Sequence, residues 1–317
     1  MMNAKVSRSP IKFPFQSKAS KPAKALAPHQ SKLVCQVAQD ATTILDVQRF
    51  RAKVFGEAYQ TEFADGIDHD PFDQYSIHVL VRDVDTQQIV ACTRVITPAA
   101  KHALGRYYSE TEFQLDDYLA DKQDVYEIGR TCVDTSYRGG KVLAVLWMGM
   151  LPLVFNQLKA QYLIGTVSVN LSANPQKIIA TEGYIKAKAK TKKIKSLMPF
   201  CVDDYISGQD AMFSDVWLNE PTAKQIKQQA KQQAKKLQKL GKGKDQSIYD
   251  KKQVPSLIKK YRRCGAVFSE QACFDPAFNC VDYFISIEVN KRLLLKLSMV
   301  CKLIELNNVK NRLKKMA

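Results

Sequence analysis

Short apolar runs fit for strands alternate along this chain with longer stretches whose apolar residues recur at helical spacing. Ser76–Asp83 and Ile89–Ile96 read as two strands joined by the polar turn Asp83–Gln88. Asp124 to Val133 reads as a buried strand with polar residues set into it. Asp134 to Gly140 is then a turn-rich loop, and Lys141 to Met150 opens an apolar helix with no charge after Lys141. Tyr162 to Val169 reads as another buried strand. On the N-terminal side, order is expected from about Leu33, with Thr42 or Thr43 capping a helix that runs through Asp46, Arg49 and Phe50 to about Val54. Ser109-Glu110-Thr111-Glu112 looks like a capping-box start to a short helix carrying Phe113 and Leu115. Asn174-Pro175 fits a helix start with Gly183 as its stop. Order resumes with Leu257 to Arg263, followed by strands at Ala266–Phe268 and Val281–Ile287. This succession predicts an α/β fold with a mixed central sheet flanked by helices.

Three segments break the pattern. Residues 1–32 hold Pro10, Pro14, Pro22 and Pro28 among Lys and Ser with no acid, which predicts a disordered basic arm. Residues 186–255 read as an insertion in a folded domain spanning 33–288. Within it, 222–244 alternates Lys, Gln and Ala, as a solvated helix ended by Gly241 and Gly243 would. Residues 289–317 read as a basic amphipathic helix with Leu294, Leu297, Cys301 and Ile304 along one stripe. It either packs on the sheet or lies on a membrane. On the membrane reading, removing 291–317 should leave a folded body.

Composition narrows the class. No stretch of the 317 residues approaches the ~18 apolar residues of a spanning helix, and the N-terminus lacks a signal-peptide core. The eight cysteines form no C-x-x-C pair, so reduced thiols in a cytoplasmic protein are expected, and no metal. The net charge of +17 is uneven. Residues 1–32, 186–195, 222–244 and 291–317 hold 29 of the 48 Lys and Arg against one acid, Glu305, while the remainder carries 19 basic and 30 acidic residues. Basic appendages on an acidic body suit an anionic partner: a membrane surface, an acidic carrier protein or nucleic acid. No RNA-binding motif appears, and the aromatics do not interleave with the basic runs, so no nucleic acid is expected. A nucleic-acid-binding or scaffold protein is the non-enzymatic alternative.

Candidate chemistry gathers around the strand–loop–helix at 124–150. Gly139 and Gly140, beside Arg138 and Lys141, precede a helix N-terminus, a natural anion site. Glu127 and Arg130 are charged residues in a strand fit for burial, so they form a structural salt bridge or are used by function. Gly129 between them suggests a bulge that would bring the two together. Asp65, Asp68, Asp70 and Asp73 form an acidic turn. It reads as a calcium loop without the EF-hand pattern, a solvated loop or a site for a cationic substrate.

These residues compose a longer resemblance. Arg51-Ala52-Lys53-Val54-Phe55, the triplet Asp68, Asp70 and Asp73, and Tyr108-Ser109-Glu110-Thr111-Glu112-Phe113 resemble the ornithine lipid N-acyltransferases. So do Glu127-Ile128-Gly129-Arg130-Thr131-Cys132-Val133, Tyr137-Arg138-Gly139-Gly140 and Asp275-Pro276-Ala277-Phe278-Asn279-Cys280-Val281-Asp282-Tyr283-Phe284. That family is the hemolysin-like branch of the GNAT acyltransferases. The match spans about 33–185 and 255–288, and leaves out the arm, the insertion and the tail. Acyl-homoserine-lactone synthases look alike at Arg51, Phe55, Asp68, Asp70, Asp73, Arg94, Glu127 and Arg130. The resemblance implies a GNAT-like fold and transfer of a (3-hydroxy)acyl group from acyl carrier protein, or from coenzyme A, to the α-amino group of ornithine. Another amine or a homoserine lactone is the alternative product class. No cofactor beyond the acyl co-substrate is implied. Glu127 would be the general base with Arg130 as its partner. Asp68, Asp70 and Asp73 would neutralise the substrate ammonium groups, Arg51 or Arg94 would clamp its carboxylate, and Arg138, Gly139, Gly140 and Lys141 would hold the donor phosphate. A peripheral position on the inner face of the cytoplasmic membrane would suit a lipid product.

Overall fold

Successive side chains of a strand point to opposite faces, and the first two predicted strands are buried on both. Strand β1 is Leu33–Val37, and after helix α1 (Ala41–Tyr59) the chain forms β2 (Ser76–Asp83) and β3 (Ile89–Ile96). The two strands match the expected bounds. Val79, Val81 and Ala91 pack on one face, and Leu80 and Cys92 on the other. The structure is a computed structural model that describes residues 32–138, 140–171, 175–207, 249–293, 295 and 297. The basic arm up to 31 and the 222–244 segment lie outside the described residues.

Helix α1 is capped by Asp40, whose carboxylate accepts from Thr43 N at 2.8 Å, rather than by Thr42 or Thr43. An aspartate at the cap satisfies the orphan amide better than a threonine one turn further on. Val47, Phe50, Arg51 and Val54, at positions i, i+3, i+4 and i+7, are its buried face. Then come α2 (Pro98–Leu104), a 3-10 turn at Tyr108–Thr111, α3 (Asp116–Leu119), β4 (Val125–Val133) and α4 (Lys141–Pro152). The expected capping box forms two residues early: Glu110 accepts from Tyr107 N at 2.6 Å, while Ser109 turns inward. Phe113 and Leu115 are buried beyond that turn rather than on a helix. Helix α4 covers the β1–β3 face, so α1 and α4 sandwich this half of the sheet. It lies tight against β1 at Gly149, where a Cβ would overlap the Cys35 side chain.

The second half comprises β5 (Tyr162–Asn170), α5 (Pro175–Lys188), β6 (Lys190–Lys192), β7 (Pro199–Phe200) and α6 (Val202–Ser207). Past the undescribed segment follow α7 (Ser256–Cys264), β8 (Val267–Ser269), β9 (Ala272–Asp275) and β10 (Cys280–Glu288). The sheet order is β1-β2-β3-β4-β5-β10-β8-β6, with β9 also on β10 and β7 on β9. Two expectations are corrected here. Gly183 does not stop α5, which continues to Lys188; a Cβ at Gly183 would press on Tyr249, so close packing explains the glycine. The proposed insertion does not begin at 186 as a departure from the fold, because β6, β7 and α6 belong to the sheet and its cover. Strand β6 is the sheet edge, and exposed Lys190 and Lys192 suit an edge that must not recruit another strand. The tail expectation changes as well. Leu293 and Leu297 are buried in the large apolar cluster around β10 and α7, so these two residues of the tail pack on the body. Removing 291–317 would strip core residues rather than spare a folded body.

Strands β4 and β5 position the site. They pair in parallel only at Val125–Glu127 with Tyr162–Ile164, although β4 continues to Val133. Beyond Glu127 the strands part, and β5 stays with β10 along its whole length. At the apex stands Gly165, where a Cβ would overlap the Ile128 carbonyl, so only glycine lets the two backbones meet before they diverge.

Candidate active site

The opening between β4 and β5 is a cleft of about 150 Å³. Ile128, Gly129 and Thr131 line one side, and Thr166, Val167 and Ser168 the other. Each strand turns a free edge of backbone into it. The bulge expected in β4 is present, but Gly129 is not its pivot. Cys92 pairs with Cys132 and Arg94 with Gly129, so β4 carries one extra residue across from Thr93. Arg130 has the positive φ, 50°, while Gly129 has ordinary backbone. A non-glycine residue in the left-handed region costs energy that its surroundings must repay.

What holds Arg130 there is a buried lattice of charge. Its Nε lies 3.2 Å from Asp68 Oδ2, its NH2 3.4 Å from Asp70 Oδ2, and its guanidinium between the rings of Tyr108 and Phe278. Arg51 pairs bidentately with Asp73 at 3.0 and 2.8 Å and reaches Asp68 Oδ2 at 2.8 Å. Arg94 NH1 meets Asp70 Oδ1 at 2.6 Å and Asp73 Oδ1 at 2.8 Å. Three arginines therefore balance three aspartates, and Arg51 and Arg94 are 0% and 1% exposed. Burial alone would push the Asp73 carboxyl up. The hydrogen bonds and charge of Arg51, and then Arg94, instead hold it well below the usual carboxylate range.

This geometry changes several assignments. Asp68 and Asp73 are buried and committed to arginines, so they do not receive a substrate ammonium; the calcium and solvated-loop readings fall for the same reason. Arg51 is sealed beneath the lattice and does not border the cleft, so it is not free to clamp a carboxylate; Arg94 borders the cleft, with its NH1 on Asp70 and Asp73 and its Nε without a hydrogen-bond partner. Arg130 is not the partner of Glu127.

Glu127, 1% exposed, is held by the 107–112 turn. Its Oε1 accepts from Ser109 N at 2.8 Å and from Ser109 Oγ at 2.5 Å, and its Oε2 from Tyr108 N at 2.7 Å. Burial pushes its carboxyl up to about 7, against the opposing pull of Ser109 and Arg94. A carboxyl poised there, on the cleft wall beside the parted strands, can take a proton near neutral pH.

The other predicted residues sit beyond the far end of β4. Gly140 is the N-cap of α4 with φ 95°, and Arg138 and Lys141 are exposed beside it; Gly139 lies outside the described residues. The N-terminus of a 12-residue helix gives free N–H groups and a partial positive charge. One residue missed in the sequence adds to it: a Cβ at Gly140 would lie 3.9 Å from Lys260 Nζ on α7. Also missed were Glu112, Asp275 and Asp282, which enter the cleft from the opposite side. The available signal for Asp282 was an acid inside the apolar run of β10, the pattern that singled out Glu127. Asp275 and Asp282 lie with Cys280 so that their ligand atoms fall within 4.8 Å of one another. The described cysteines are free thiols, with Cys92 and Cys132 Sγ atoms 3.5 Å apart across β3 and β4.

A family model described as an acetyltransferase (GNAT) domain matches residues 50–148, from within α1 to within α4, the span that includes Glu127 and the β4 wall of this cleft. The chain carries a GNAT domain. The chain is similar to an L-ornithine N(alpha)-acyltransferase of Rhodobacter capsulatus, 29% identical over 122 residues, or 35% of this chain. That match spans about half, 47%, of the relative's own length. A second L-ornithine N(alpha)-acyltransferase, from Brucella abortus, is 24% identical over 82% of this chain and 85% of its own. Among solved structures, a CoA-dependent acyl-homoserine lactone synthase, MesI, is similar at 10% identity and a TM-score of 0.43, over 86% of this chain and 95% of its own. Residues 50–148 contain β4 with its bulge at Arg130 and the glycine-capped start of α4, while β5 and Lys260 come from later in the chain. Among the described residues, no helix is long and apolar enough to cross a membrane.

Proposed function

We propose that the protein is an N-acyltransferase that moves a (3-hydroxy)acyl group from acyl carrier protein to the α-amino group of ornithine, giving a lyso-ornithine lipid. The reading is carried by Glu127 in the cleft where β4 and β5 part, and is supported by the GNAT domain and by relatives named for ornithine N-acylation. The thioester lies along the free edge of β4, whose backbone N–H groups past Glu127 receive the carbonyl oxygen as it gains charge. The acceptor ammonium must lose a proton before its nitrogen attacks, and Glu127 takes it, directly or through water. The new bond forms between amine nitrogen and acyl carbon, and the carbon–sulfur bond breaks to release the carrier thiol. The donor phosphate rests on the α4 N-terminus with Arg138, Gly140, Lys141 and Lys260 around it. Exposed Lys186, Lys188, Lys190, Lys192, Lys193 and Lys195 offer a basic face to an acidic carrier protein. The remaining basic segments suit an anionic membrane surface where a single-chain product would partition.

Incubating purified protein with acyl carrier protein loaded with a 3-hydroxyacyl chain and L-ornithine should yield N-acyl-ornithine, read by mass spectrometry. Carrier-linked donor should outperform the coenzyme A thioester, most clearly at low salt. Absence of N-acyl-ornithine with either donor would reject the reading. Lys260→Ala should raise KM for the donor roughly tenfold, about 1.4 kcal/mol, while kcat changes little. An unchanged donor KM would remove Lys260 from the phosphate site.

A further inference from the structure

Glu112 ends the turn that holds Glu127. It is 7% exposed, and its Oε2 is buried with no hydrogen-bond partner. It faces the cleft together with Asp282 of β10 and Asp275 of β9. Asp275 pairs across the strands with Cys280, two residues before Asp282, which brings both aspartates to one end of the cleft. The nearby cation, Arg130, is already engaged by Asp68 and Asp70. Burial, followed by the charges of Asp282 and Asp275, pushes the Glu112 carboxyl well above its ordinary range; burial foremost lifts Asp282 to about 7. Gathering three acids in a low-dielectric wall, one with an unused oxygen, costs stability unless a cation arrives to relieve it. The neighbouring walls are the rings of Tyr108, Phe278, Phe55 and Tyr59, surfaces that favour an ammonium. Cys280 Sγ is spent on Asp282 at 3.6 and 3.7 Å and does not line the cleft, which favours an organic cation over a metal ion.

We propose that Glu112, Asp275 and Asp282 receive the side-chain ammonium of the acceptor, so that the site selects a diamino acid over a monoamino acid of equal length. The proposal rests on the acceptor reading above and deepens it. It moves the cation-recognition role from the Asp68–Asp73 turn, where every acid is paired, to the opposite wall of the cleft.

The test is calorimetric titration of the full chain, without donor, by L-ornithine and by L-norvaline, which has the same carbon skeleton without the δ-ammonium. Ornithine should bind at least about tenfold more tightly. Glu112→Gln and Asp275→Asn, at a buried and a half-buried position, should each remove most of that preference by weakening ornithine. Equal affinity of the two amino acids for the wild type would overturn the proposal. So would a preference unchanged in both variants. A divalent cation (Ca²⁺, Mg²⁺ or Zn²⁺) that excludes ornithine and is itself lost in both variants would overturn it in favour of a metal site. Selective ornithine binding without any acylated product would support the subsite while rejecting the acyl-transfer reading, so the two fail separately.

Discussion

Glu127→Gln should cut acyl transfer by roughly 10²- to 10³-fold, the scale of a lost general base. Glutamine keeps the shape but cannot accept the proton. It must also turn its amide nitrogen toward Tyr108 N or Ser109 N, where the carboxylate now accepts from both. The pH profile separates chemistry from structure. The active form of Glu127 is the carboxylate, and its pKa in the fold is about 7, so wild-type activity should climb through that pH. The variant should lose this break and keep only the rise due to the free acceptor amine. Stability runs the other way. A carboxyl raised above its unfolded value of ~4.3 contributes stability that is complete below that value and lost as pH rises through about 7. Between pH 6 and 8 the wild type should therefore gain activity and give up some thermal stability. Comparable turnover in purified wild type and variant would remove Glu127 from the mechanism.

Arg51→Leu should destabilise the fold by about 3–5 kcal/mol, the usual result of taking one partner from a buried ion pair. Leucine fills part of the volume but leaves Asp68 and Asp73 facing each other with less countercharge. Adding Asp73→Asn should recover part of the loss, because it removes the stranded charge. The pH dependence has the opposite sign to that of Glu127. Asp73 is depressed in the fold, so its contribution is present above the unfolded value of ~3.9 and disappears as pH falls toward the folded one. The cost of Arg51→Leu should thus be full from pH 5 to 8 and shrink only in acid. Denaturant midpoints measure this, and a variant unfolding at the wild-type midpoint would show that the lattice contributes no net stability.

Strands β2 to β5 and helices α1 and α4 were legible because apolar runs of strand length and helical spacing mark them, whereas β1 and α2 (Pro98–Leu104) were not read. Ser76–Asp83 and Ile89–Ile96 came out residue for residue. Strands β6, β7 and β9 were not legible: at two to four residues they are too short for a period, and they exist because neighbours accept them. Within the site, residue types were easier to find than partners. Glu127 and Arg130 stood out as charges in an apolar run, but the glycine between them suggested a bulge that would make them meet each other. The left-handed backbone at Arg130 sends its side chain to Asp68 and Asp70, a choice made by the acidic turn sixty residues earlier. Glu112, Asp275 and Asp282 lie on three separate segments, and only the strand order brings them to one cleft.

The close approach of Gly149 to Cys35 gives this protein a timing device for the experimentalist. The Cys35 thiol is half-buried under α4, and burial pushes its pKa up to about 12, so at neutral pH almost none is thiolate. A thiol reagent adds bulk where even a methyl on Gly149 would collide, so alkylation has to wait for β1 to lift from the helix. Cys201 is exposed and supplies the unhindered reference rate in the same molecule. Changes in the ratio of the two rates at fixed pH report the opening of the sheet's first strand, with no substitution introduced.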